Sequence, residues 1–122
     1  MTDYPKRGEI YLVNLQSKPK DVRNRSALVV SLDIRNKLAN DIIVVPLSTN
    51  LRPSPAHVLL CEGEGGLSKA SMAKCEQVTT IDKSLLLRGL FSGRISDKKM
   101  NEIEKAIMIS IGWKNTSRAL RP

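Results

Sequence analysis

Four short apolar runs, most of them rich in β-branched side chains, punctuate this 122-residue chain, and only one segment carries a helical period. The runs are Glu9–Leu15 (EIYLVNL), Ala27–Leu32 (ALVVSL), Asp41–Leu47 (DIIVVPL) and Ala56–Cys61 (AHVLLC). Polar or Gly- and Pro-containing sequence bounds each, the pattern of strands between turns. Pro46 stands near the end of its run, where a missing N–H is tolerated. Ser71–Ile81 alternates loosely through Met72, Cys75, Val78 and Ile81 and predicts a long or bent strand. Leu90, Phe91 and Ile95 mark a last short strand.

The helical segment is Ser96–Ile111. Ser96 suits an N-cap, and Asp97 complements the positive end of the helix dipole. Met100, Ile103, Ile107 and Ile111 recur at three- and four-residue spacing and define a buried face. Gly112 stands where a C-cap glycine is expected. Asp33–Asn40 predicts a turn or short helix, Glu62–Leu67 a glycine-rich turn, and Lys83–Leu87 a single helical turn. A polar tail begins at about residue 114 and is expected to fray. The reading is one domain over residues 1–122, mainly β with α. Six or seven short strands form a closed or nearly closed sheet, with a helix packed on it. A hydrophobic fraction of 41% suffices for its core.

Charge narrows the partner. Twenty Lys and Arg against twelve Asp and Glu give a net charge of +8, which favours an anionic partner such as nucleic acid. Tyr4, Tyr11, Phe91 and Trp113 are the only aromatic residues, too few for a base-stacking platform. Contacts to phosphate and base edges should therefore dominate. The loop Gln16–Arg25 (QSKPKDVRNR) concentrates four of the positive charges. Cys61 and Cys75 fall in apolar stretches and are expected to be buried, reduced thiols. With His57 as the only histidine, no metal site or cofactor is expected. Phosphate-loop, dinucleotide and nucleophile-elbow patterns are missing. No apolar run approaches the ~20 residues of a membrane span, and the N-terminal residues lack a signal-peptide core, so a cytoplasmic protein is expected.

Several blocks together resemble the MazF/PemK/Kid toxins. They are Lys6-Arg7-Gly8-Glu9-Ile10-Tyr11-Leu12, Arg25-Ser26-Ala27-Leu28-Val29-Val30-Ser31, Val45-Pro46-Leu47-Ser48, His57-Val58-Leu59-Leu60, Gly66-Leu67 and Cys75-Glu76-Gln77-Val78-Thr79-Thr80-Ile81-Asp82-Lys83. Their order covers nearly the whole chain. The resemblance implies a small SH3-like β-barrel of the CcdB/MazF-like toxin fold with a C-terminal helix, assembled as a homodimer. It also implies sequence-specific, metal-independent cleavage of single-stranded RNA and neutralisation by an antitoxin. A +8 surface predicts that this antitoxin is acidic.

Metal-free RNA cleavage commonly uses the adjacent 2′-OH as nucleophile. It needs a base for that hydroxyl, an acid for the leaving oxygen and cations for the phosphorane. Arg25, at a loop-to-strand junction, fits the cation: its planar fork can hold two phosphate oxygens and stays charged. The resemblance aligns it with the family's catalytic Arg, and Ser48 with a conserved Thr or Ser. Asp82 aligns with an acid that some members use as general base, but Asp before Lys83-Ser84-Leu85 is also a good N-cap, the reading favoured for it. The loops carrying Lys18, Lys20 and Arg23, and Thr49 and Arg52, would flank the RNA. Glu76, Gln77 and Thr79 match the long-strand block and complete the expected RNA-binding set, with Glu76 and Gln77 in a supporting role. His57 falls in an ordinary strand of the family pattern and is left outside the catalytic set.

Departures are informative. Ser26 replaces the family's Pro after Arg25, and Thr79 stands where members with E/Q-x-R-T-I-D have Arg. That loss keeps open a catalytically impaired nucleic-acid-binding relative. A CcdB-like, gyrase-binding toxin is a further alternative.

Overall fold

A computed structural model describes residues 4–14, 24–89 and 93–113. The strands are β1 (Ile10–Val13), β2 (Arg25–Val29), β3 (Asp41–Ser48), β4 (His57–Leu60), β5 (Ser71–Lys74), β6 (Thr79–Asp82) and β7 (Leu86–Gly89). The helices are α1 (Asp33–Leu38) and α2 (Asp97–Ser110). All pairings are antiparallel, in the order β4-β5-β3-β2-β1-β7. β3 is the organising strand. One of its edges takes β2, and the other takes β6 along Asp41–Val44 and β5 at Leu47 and Ser48.

The expected long strand over Ser71–Ile81 is therefore two strands running along one edge of β3. A 3-10 turn at Cys75–Gln77 interrupts them. Cys75 stays buried in that turn, so the apolar alternation survives the break in pairing. The mainly β architecture with a C-terminal helix is as expected, but the sheet is not a closed barrel. Among the described residues no ladder joins β4 to β7; α2 packs against β4 and the Cys75–Gln77 turn instead. A helix, and not strand pairing, covers that end of the sheet.

Two cores explain why β2 lacks an apolar–polar alternation. Leu28, Val45, Leu47, Val58, Leu60 and Ala73 face α2, where they meet Met100, Ile103 and Ala106. On the opposite face, Val13, Ala27, Val29, Ile42, Val44 and Ile81 form a second cluster, with Tyr11 and Leu86 against it. The centre of the sheet is thus buried on both sides, which favours a continuous apolar run.

The helix forms as its caps and period require. Ser96 Oγ accepts the Lys99 N–H at 3.1 Å, and Gly112, at φ +74°, follows the last turn. Ile111 is a correction: it is 69% exposed, because it lies one residue past the last turn, while Ala106 supplies the buried position not expected. Arg7 binds the Val30 carbonyl at 2.7 Å and pairs with Glu104, tying the first turn to β2 and α2. Gly65 suits its place because its φ of +59° lies in the left-handed region, and a Cβ there would also come within 2.7 Å of Ile10 Cδ1.

Other sequence readings hold or fail locally. Asp33–Leu38 is a short helix, and Lys83–Leu85 a 3-10 turn. Ile95 is buried but belongs to no strand, whereas the last strand is β7; Leu90 and Phe91 lie outside the described residues. Cys61 is exposed, in contrast to Cys75, because it sits just past β4 at the start of a turn. No helix among the described residues is long and apolar enough to cross a membrane.

Candidate functional site

Arg25 is the first residue of β2 and Ser48 the last of β3. The β2–β3 ladder pairs Ala27 with Pro46, Leu28 with Val45 and Val29 with Val44. The ladder ends at Ala27 and Pro46, two residues short of Arg25 and Ser48, which stand at the same end of these neighbouring strands. Strand alternation gives both the face of Ala27, Val29 and Val44, not the face under α2. On its far edge Ser48 pairs with Met72, which pairs with Leu59. One row across β3, β5 and β4 thus runs Ser48, Met72, Leu59, with Arg25 at the same end of β2. Arg25 and Ser48 are half-buried, at the end of the sheet where β2 begins and β3 ends.

Ser48 Oγ accepts the Asn50 N–H at 3.1 Å, which starts the loop of residues 49–56. Accepting leaves the hydroxyl proton available to donate. Thr49 and Arg52 lie in this loop, both exposed. Thr79 pairs with Val44 in β6 and shares the same sheet face, exposed. Lys18, Lys20 and Arg23 lie outside the described residues.

Asp82 is arranged differently. It pairs with Asp41 and alternates with Ile81, so it belongs to the opposite face from Arg25 and Thr79. Its carboxylate caps the turn Lys83–Leu85 by accepting the Ser84 N–H at 2.8 Å. That backbone N–H, and after it the Ser84 hydroxyl, hold the Asp82 carboxyl below its ordinary 3.8. Its geometry is that of a cap.

Glu76 and Gln77 stand on the 3-10 turn, not on a strand, and both are exposed. Glu76 meets a residue that the sequence reading set aside. His57 Nε2 lies 3.0 Å from Glu76 Oε2, and His57 Nδ1 lies 2.8 Å from the Arg52 carbonyl oxygen. The His57 side chain is only 8% exposed. The Arg52 carbonyl, and after it the Glu76 carboxylate, raise the His57 pKa above 6.5, against partial burial and the charge of Lys74. For Glu76, burial is the largest single influence and acts upward. The His57 hydrogen bond, the backbone and the charges of His57 and Lys74 together outweigh it and lower its pKa. Lys74 itself pairs with His57 across β4 and β5 and was not expected at the site. No local sequence signal marks these links, since residues 52, 57, 74 and 76 meet only through strand pairing and the turn.

Among the described residues no three His, Cys, Asp or Glu side chains converge to hold a metal ion. Burial pushes the Cys75 thiol up to about 12, so it is no nucleophile at neutral pH. A cavity of about 410 Å³ opens beside the α2 N-terminus, lined by Arg7, Asp33, Arg94, Ile95, Asp97, Met100 and Asn101. It shares no residue with the Arg25–Ser48 end of the sheet, its two arginines are offset by two aspartates, and Arg7 is already paired.

Comparison with known proteins gives consistent matches. The family described as PemK-like, MazF-like toxin of type II toxin-antitoxin system matches residues 6–111. Endoribonuclease MazF of Staphylococcus saprophyticus subsp. saprophyticus is 32% identical over 111 residues, spanning 88% of this chain and 91% of that protein. A mycobacterial endoribonuclease solved in complex with its cognate antitoxin is 26% identical. It superposes with a TM-score of 0.73 over 89% of this chain and 96% of its own. MazF from Deinococcus radiodurans, at 17% identity, has a TM-score of 0.75 over 91% and 99%, a likeness of fold alone. With a family match across residues 6–111 and 32% identity to a MazF endoribonuclease, this chain belongs to the PemK/MazF toxins of type II toxin–antitoxin systems.

Proposed function

We propose that the chain is an endoribonuclease toxin that cuts single-stranded RNA at a defined sequence, without a metal ion, and is neutralised by an antitoxin. The observation that carries this reading is that Arg25 opens β2 and Ser48 closes the neighbouring β3 at the same end and on the same sheet face, in a chain of this family. A scissile phosphate seated there would meet a permanent cation and a hydroxyl donor from adjacent strands. The attacking 2′-OH pushes negative charge onto the non-bridging oxygens. Arg25 stabilises that charge with two parallel N–H donors and Ser48 with one O–H donor. The 2′-oxygen, its proton passing to water, closes a cyclic phosphate as the bond to the 5′-oxygen breaks and that oxygen takes a proton from water. Thr49, Arg52, Gln77 and Thr79 would contact the flanking nucleotides, together with the basic segment carrying Lys18, Lys20 and Arg23. Asp82 serves in this reading as the cap that its geometry supports, not as the base.

The protein is expected to act in the cytoplasm as a homodimer. An acidic, partly disordered antitoxin chain would compete with RNA for the same positive surface. The test is incubation of purified protein with a mixed single-stranded RNA pool in EDTA, with cut sites mapped by primer extension. Cleavage at a recurring sequence is expected, lost in a folded Arg25→Ala variant. A wild-type protein that cuts no RNA in the pool overturns the reading. Growth arrest persisting in Arg25→Ala would then point to the impaired or gyrase-binding alternatives.

A further inference from the structure

We propose that His57, as an imidazolium, is a positioning residue that pins the loop of residues 49–56 to the Glu76 turn and thereby sets RNA affinity. Both of its ring nitrogens face acceptors: the Arg52 carbonyl at 2.8 Å and the Glu76 carboxylate at 3.0 Å. A neutral imidazole carries one N–H and leaves its other nitrogen lone pair pointing at an oxygen, whichever tautomer forms. Only the doubly protonated ring donates to both. The ring itself is 8% exposed, so little water reaches its own nitrogens, whereas both acceptors belong to exposed residues.

The mechanical consequence lies in the loop. Leu51, Arg52, Pro53, Ser54 and Pro55 are all exposed, so their own side chains do little to anchor the segment. Its C-terminal end is held by the His57 N–H donating to the Ser54 carbonyl and the Cys75 N–H donating to the Ala56 carbonyl. The His57–Arg52 bond reaches further, to the middle of the loop and the residue whose side chain is an RNA-contact candidate. Among the described residues the charged groups facing the ring are Glu76 on the turn and Lys74 on β5, which act in opposite senses. Since the folded-state pKa is raised, the clamp is complete below about the ordinary value of 6.5 and is released as pH rises through the raised value.

This inference rests on the RNA-cleaving reading for its functional half. The test combines two measurements on the full chain. First, the His57 ring is titrated by NMR in the RNA-free protein, wild type and Glu76→Gln, alongside amide exchange in the loop. The ring should titrate above 6.5 in wild type and lower in the variant, with loop exchange rising as the proton leaves. Second, KM and kcat are measured from roughly pH 5.5 to 8.5 for wild type, His57→Gln and Glu76→Gln. Wild-type KM should rise about tenfold across the titration, the factor of one lost charged hydrogen bond. Both variants should hold a high KM that depends little on pH, with kcat within about twofold. A ring that titrates at or below 6.5, or loop exchange indifferent to its proton, overturns the clamp. A KM profile unchanged in both variants overturns its effect on RNA. Absence of any cleavage by wild type refutes the nuclease reading instead, and the NMR arm still decides the clamp.

Discussion

Replacing Ser48 by alanine separates a role in holding the loop from a role in binding phosphate. Among the described residues the hydroxyl makes one hydrogen bond, accepting the Asn50 N–H at 3.1 Å in an exposed setting. Water can satisfy that N–H after truncation, so the stability loss should be about 0.5 kcal/mol, the lower end of the usual range. For a domain of this size that is a fall in Tm of only about 2 °C. The O–H donated to a phosphorane oxygen is a bond to a charged acceptor and is worth about 1.5–3 kcal/mol. Its loss should lower kcat/KM by roughly 10- to 150-fold. Ser48→Thr keeps the hydroxyl and should retain activity within about threefold, because β-branched residues suit a strand end. The assay is cleavage of a short fluorescent RNA under single-turnover conditions, with thermal unfolding of each variant alongside. Ser48→Ala cutting within twofold of wild type would refute the phosphate contact, whatever its Tm.

Two further perturbations probe the frame around the site. Ile103 is fully buried between α2 and the sheet, so Ile103→Ala should cost about 2–5 kcal/mol and lower Tm by roughly 10 °C or more, read by calorimetry. Asp82→Asn should retain both the Ser84 cap and RNA cleavage, whereas Asp82→Ala should unfold at lower temperature than wild type at neutral pH. Because the Asp82 pKa is depressed on folding, its contribution is present above about 3.8 and fades as pH falls through the folded value. The gap between Asp82→Ala and wild type should narrow over that window, and loss of cleavage in Asp82→Asn would instead assign the carboxylate to the chemistry.

Much of the frame is legible in the residues themselves. The runs at Ile10, Ala27, Asp41 and His57 are strands because branched side chains pack well on a pleated surface. The α2 helix follows from its Ser96 cap and its apolar period. The 3-10 turn at Cys75–Gln77 was not legible, because Cys75, Val78 and Ile81 keep an apolar rhythm through a break in pairing. Nor was the exposure of Cys61 and Ile111, since apolar character is local while burial depends on what packs opposite.

The candidate site divides along the same line. Local chemistry together with the family resemblance nominated Arg25 and Ser48, a loop-to-strand cation and a strand-end hydroxyl, and local chemistry also showed that Asp82 could be a cap. Register then set the first two on one face and Asp82 on the other, a decision made by backbone pairing between distant segments. His57 shows the limit most clearly. Read by itself it is a lone histidine in a strand. Its raised pKa and double hydrogen bond exist only because β4, β5 and the turn after β5 bring a carbonyl from residue 52 and a carboxylate from residue 76 to opposite sides of one ring. Composition, caps and side-chain period are properties of neighbours along the chain and can be read there. The protonation of His57 depends on neighbours in space, and only the tertiary structure supplies them.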